Sequence, residues 1–172
     1  MKRNDLFNEV KNWLEAEKLV FSADSDNATF DGGMATANGM VQVCLHCEGS
    51  PPILQVVCAL PLKVPKEKTA DTALFLHHVN ACLRIGAFYF NLENRLIAYR
   101  LTMPVRPEAD LGHQFAEAFA TAIGTWDDYL APLALLLCAT EAAQQALARF
   151  APETHPCASL PGLSLASRME LN

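Results

Sequence analysis

Residues 44–47 read Cys-Leu-His-Cys, two thiols flanking an imidazole at the spacing used by zinc knuckles and redox dithiols. Cys44, His46 and Cys47 are therefore the first candidates for metal or thiol chemistry. A zinc knuckle holds its cysteines on a tight turn and completes the shell with a second pair, yet the sequence has no second Cys-x-x-Cys. A redox pair sits at a helix start, whose dipole favours thiolate, and nothing here signals a helix. Haem attachment needs a histidine directly after the second cysteine, where Glu48 stands. If the segment is extended, alternation puts Cys44 and His46 on one face and Cys47 on the other. The sequence therefore reads as a sulfur-rich strand without metal or cofactor. A metal or thiol site built on Cys44, His46 and Cys47 is the alternative.

Other polar groups offer less. His77 and His78 are adjacent on a helix, where neighbours diverge by about 100° and cannot grip one ion. The position four after His77 is Ala81. Asp127 and Asp128 fail as a catalytic carboxylate pair by the same geometry, and Asp128 reads as a helix-surface charge. There is no GxSxG, P-loop, GxGxxG or HExxH motif. No catalytic residue is assigned, and the expectation is a non-enzyme.

The chain of 172 residues suits one domain with a real core. Apolar residues make up 51%, which marks it as globular rather than disordered. A net charge of −6, with no aromatic-interleaved basic cluster, argues against nucleic acid and anionic membranes as partners. The N-terminal segment lacks the apolar core of a signal peptide. The longest apolar run, 129–139, falls short of the ~20 residues of a membrane span. A cytoplasmic location follows, with six reduced cysteines acting as packing residues.

Elements that would position these residues follow from periodicity. Leu6, Phe7, Val10, Trp13 and Leu14 make an amphipathic helix over 5–17, capped by Asn4 or Asp5. Residues 22–39, rich in Asp, Asn and Gly, leave room for a short strand near 28–31, with Gly32-Gly33 in a turn. The runs 40–49 and 53–64, joined by Gly-Ser-Pro-Pro, read as an antiparallel hairpin ended by Pro65. Its second strand is apolar on both faces and therefore central. A helix from Glu67 buries Thr72, Phe75, Leu76, Val79, Cys82 and Leu83, turns His77 outward and stops at Gly86. A second hairpin follows, with Phe88, Phe90 and Leu92 on one side and Ile97, Tyr99, Leu101 and Met103 on the return. Residues 110–149 form a long helix striped by Leu111, Phe115, Phe119, Ile123, Trp126, Leu130, Leu133 and Leu137, kinked or split at Pro132. The fold class is α+β: an antiparallel sheet flanked by helices, in the order α-β-β-β-α-β-β-α. Residues 1–149 form one domain and 150–172 a mobile tail.

One stretch carries a resemblance. "LPLKVP", then "HHVNACLRIGAFYFNLENRLIAYRLTMPV", then "WDDYLAPLALLL" resemble the YbjN family across residues 60–137. The shared pattern comprises Asn80, Gly86, Phe88, Tyr99, Arg100 and Pro132, all structural rather than catalytic positions. The resemblance implies a fold like that of type III secretion chaperones, which commonly dimerise, and a regulatory label that names no reaction. Gly86 would permit a sharp helix-to-strand passage, and Asn80 would bond to free carbonyls near its helix end. The cysteine richness and the tail depart from the family pattern. The reading that follows is a cytoplasmic binding module, chaperone-like or regulatory, docking apolar segments of an unidentified protein partner as a homodimer. The alternatives are the thiol or metal protein above and a small-molecule sensor.

Overall fold

The computed structural model describes residues 1–138 apart from Pro61. Helix α1 (Arg3–Ala16) buries Leu6, Phe7, Val10, Trp13 and Leu14, the stripe its spacing demands. It starts before Asn4 and Asp5. Asp5 still serves the helix start, its carboxylate accepting the Lys2 backbone N–H at 2.9 Å. Strands β1 (Ser22–Asp24), β2 (Thr29–Ala35), β3 (Met40–Gly49) and β4 (Pro52–Ala59) come next. A 3-10 turn (Lys66–Lys68) leads into α2 (Thr69–Cys82), then β5 (Ala87–Asn91), β6 (Leu96–Pro104) and α3 (Leu111–Cys138). All six strands form one antiparallel sheet in the order β1-β2-β3-β4-β6-β5. The α+β class and the order of elements are as the sequence reads, with the three-residue β1 in addition.

The 22–39 segment holds more strand than expected. Asp24 turns a loop-like composition into a hairpin turn: its carboxylate accepts the backbone N–H groups of Asp26 and Asn27 and the Asn27 side-chain amide. Gly32 and Gly33 lie inside β2 rather than in a turn, and the Phe21 ring occupies the space a Gly32 side chain would fill. β4 is central, between β3 and β6, but ends at Ala59 rather than Pro65. Among the described residues beyond β4, backbone bonds run from Leu60 N–H to Ile97 O and from Val64 N–H to Arg95 O. β5 stops at Asn91, whose side chain accepts the Glu93 and Asn94 N–H groups; Leu92 therefore sits in the turn, 64% exposed.

Helix α3 runs through Pro132 without splitting. Proline there removes one bond, to the Asp128 carbonyl, while Pro132, Leu133 and Leu136 are buried and hold the helix down. Its expected continuation to 149 and the tail beyond lie outside the described residues. The core fills the space between one sheet face and the helices. α1 packs on β3, α3 on β4 and β6, and α2 along β5. Phe7 stacks on Phe30, Trp13 meets Phe115 and Phe119 edge-on, and Phe88 packs on Trp126 and Tyr129. Between β6 and α3 the buried Gln114 carboxamide grips the Arg106 backbone, accepting its N–H at 2.9 Å and donating to its carbonyl at 3.0 Å.

Candidate functional site

Alternation divides each strand between a helix-covered face and an open one. The covered face carries Phe30, Val43, Leu45, Cys47, Leu54, Val56, Cys58, Tyr99, Leu101 and Phe88, all buried. Register fixes what lies on the other side. One row runs Asp31, Cys44, Val57, Arg100, Ala87; a second runs Gly33, Gln42, Ala59, Ala98, Tyr89; a third runs Thr29, His46, Gln55, Thr102. Ile53 stands opposite Glu48 at the end of β3 and β4. Ile53, Val57 and Ala59 are each half-buried, and no helix among the described residues packs on this side of the central strands. Met40 at 58% exposure and Tyr89 at 44% extend the apolar surface. Around it sit polar groups. Glu48 accepts a hydrogen bond from Gln55 and lies 3.9 Å from His46, and Arg100 lies over the Tyr89 ring, 5.7 Å from its centre.

The Cys-Leu-His-Cys segment is part of β3. Cys44 and His46 are half-buried on the open face, while Cys47 is buried on the covered one. The two thiols point to opposite sides of the sheet and have no common centre. Burial pushes the Cys47 thiol up to about 12, reinforced by Cys44. Burial likewise raises Cys44 to about 12, helped by the Asp31 carboxylate beside it, and Cys58 to about 12. Thiol catalysis needs thiolate, and the surroundings of all three favour the protonated form. Cys138 carries a free, exposed thiol. Cys82, in contrast, is disulfide-bonded, so the expectation that every cysteine is a reduced packing residue fails there.

His77 is exposed and His78 half-buried, their rings 5.7 Å apart and tilted by 64°. Asp127 does what its sequence neighbourhood does not announce. It reaches the β2–β3 turn, where its carboxylate accepts the Asn38 backbone N–H at 2.9 Å and its carbonyl accepts the Asn38 side-chain amide at 3.2 Å. Partial burial alone would raise its pKa; bonds from Thr36, Asn38 and Ala37 outweigh that and hold the carboxyl below its ordinary value.

Four of the six pattern residues converge where α2 turns into β5. Gly86 has φ +70°, and a Cβ there would fall 2.2 Å from the Tyr99 hydroxyl. That hydroxyl donates to the Ile85 carbonyl at 2.8 Å. Phe88, buried, packs on Tyr99 at 5.1 Å between ring centres. Asn80 does not bond to helix carbonyls; its side chain bonds to both backbone groups of Phe88. Arg100 lies apart, on the open face, and Pro132 is buried in α3.

Residues 7–135 match the YbjN family, described as "Putative bacterial sensory transduction regulator". The chain belongs to the YbjN family. Its fold is similar to that of a chain in the ExsC-ExsE complex, with TM-score 0.54 and 14% identity over 81% of this chain and 100% of that one. Matches also include a chain of the HopA1-SchA chaperone-effector complex, with TM-score 0.49 and 13% identity over 74% of this chain and 94% of that one. YbjN from E. coli matches with TM-score 0.46 and 12% identity over 72% of this chain and 92% of that one. No curated protein matches. None of the helices among the described residues is long and apolar enough to cross a membrane. In this chain the junction of Asn80, Gly86, Phe88 and Tyr99 fixes the passage from α2 into β5.

Proposed function

We propose that this YbjN-family protein is a non-enzymatic, cytoplasmic binding module, regulatory or chaperone-like, that docks apolar segments of a partner protein on the helix-free face of its sheet. One observation carries the reading. A solvent-facing side of an antiparallel sheet ordinarily alternates to polar residues, yet β4 turns Ile53, Val57 and Ala59 outward with no helix among the described residues over them. Apolar area of this kind gains about 25 cal/mol per Å² when a partner covers it. Gln42, Gln55, Thr102 and Arg100 frame it with hydrogen-bonding groups that can orient an incoming chain. The family's description as a regulator and the likeness to a chain found in a two-protein complex support the same reading.

The protein works as a homodimer in this proposal, through α2. Thr72, Phe75, Leu76 and Val79 are buried on one side of that helix, while Ala70, Ala73, Leu74, His77 and Ala81 face outward, with half-buried Asp71 its one carboxylate. A helix with two apolar faces needs cover on both. Site-specific photo-crosslinking in the native cell tests the partner surface. Reactive groups placed at Gln55 and Val57 are expected to capture a protein partner, whereas one at Glu117, on the exposed side of α3, is not. Capture from Glu117 alone would reject the open face as the docking site.

A further inference from the structure

β5 is the last strand of the sheet, so one side of its backbone has no strand beside it among the described residues. Strand edges of this kind are templates for pairing with another chain, and proteins blunt them with charge, proline or cover. The opposite edge is β1, three residues long, ending in Asp24 and followed by Asp26. β5 has no such defence of its own. It reads Ala-Phe-Tyr-Phe-Asn, uncharged, free of proline and aromatic, a composition inclined to strand pairing.

Phe88 stands opposite Tyr99 in the β5–β6 register, but its own N–H and carbonyl are taken by Asn80. The Asn80 Nδ2 donates to Phe88 O at 2.8 Å, and the Asn80 Oδ1 accepts the Phe88 N–H at 2.7 Å. One donor and one acceptor offered to both groups of a single residue reproduce what a neighbouring strand would present there. A carboxylate of similar size, which only accepts, could not serve both groups at neutral pH. The placement is secured from behind, since Tyr99 Oη holds the Ile85 carbonyl at the start of the same passage.

We propose that Asn80 is an edge clasp: its carboxamide stands in for a seventh strand, fastens α2 along β5, and prevents β5 from pairing with β5 of a second copy. This association is distinct from a dimer through the outward face of α2, which leaves β5 covered. The role belongs to the amide's paired donor and acceptor rather than to side-chain bulk.

Hydrogen exchange resolved at the Phe88 amide, together with light scattering over a concentration series, tests it on the full chain. In Asn80→Ala, Phe88 exchange is expected to rise about tenfold or more while the amide of Val56 in central β4 stays protected. The same variant is expected to form concentration-dependent species larger than those of the unsubstituted chain, and adding Tyr89→Lys is expected to suppress them. Unchanged Phe88 protection would overturn the clasp, and faster exchange without new association would overturn its edge-closing role. If Asn80→Ala unfolds altogether, Asn80→Asp decides. A protonated carboxyl can again donate to the Phe88 carbonyl, so its folded pKa is raised and Phe88 protection should return as pH falls through it. Protection that stays lost in acid would overturn the proposal.

Discussion

The Tyr99 hydroxyl lies where a side chain at position 86 would have to go. Gly86→Ala must therefore displace the ring and hold alanine at a left-handed φ, and a loss of about 2–4 kcal/mol is expected by denaturant unfolding. Tyr99→Phe removes the hydroxyl's bonds to the Ile85 carbonyl and the Thr125 side chain and should cost about 1–2 kcal/mol. Asp127 makes a pH prediction. Its folded pKa is depressed, so its contribution is complete above the unfolded carboxylate value near 4 and is lost as pH falls through the folded value. Acid unfolding of Asp127→Asn should accordingly show a flatter dependence on pH over that range. The buried thiols make a third: iodoacetamide at pH 8 should modify exposed Cys138 well before Cys44, Cys47 and Cys58. Zinc that is stoichiometric in purified protein and lost in Cys44→Ser would reverse the reading of that strand. At this level the sequence yields identities but not partners. Gly86, Phe88 and Tyr99 stand out by pattern, and alternation alone separates Cys44 from Cys47. The Asn80–Phe88 bond appears only once α2 turns back on β5. Asp127 finds its partner 89 residues away, beyond any spacing rule.

Helices and hairpins with strong periodicity are readable from the sequence, because one apolar stripe fixes both the element and the side it buries. α1, α2, α3 and the β3–β4 and β5–β6 hairpins are of this kind. The β1–β2 hairpin is under-read because its Asp, Asn and Gly residues look like loop, when Asp24 is in fact organising a tight turn. Pro132 is over-read as a break, since burial of its surroundings compensates one missing bond. α2 carries two predictions of its own. Thr72 is fully buried and its hydroxyl has no hydrogen-bond partner, so Thr72→Val should be neutral or stabilise by about 1 kcal/mol in thermal or denaturant unfolding. Leu74→Glu puts a charge on the outward face, at a residue already 40% exposed. Little change in monomer stability is expected, but light scattering should report a halved mass if α2 forms the dimer.

For the molecule as a whole, the decisive feature is a sheet that the helices of the described residues cover on one side. α1, α2 and α3 share a single core with one face, and among the described residues the opposite face leaves Ile53, Val57 and Ala59 of β4 half-buried, the surface proposed for docking. The sequence does show that β4 is apolar on both sides, and centrality in the sheet accounts for one of them. It does not show that α1 and α3 both lie on the other side, because that depends on where they cross the strands rather than on their own periodicity. An aspartate in the middle of this face is the most direct probe. Val57→Asp replaces a half-buried valine between Cys44 and Arg100, away from the core on the other side. With the partner captured at Gln55 or Val57, titration calorimetry should show Val57→Asp weakening the complex at least about tenfold, a loss of about 1.4 kcal/mol or more, while thermal unfolding of the free protein stays nearly unchanged. Undiminished affinity in a folded Val57→Asp variant would contradict the account.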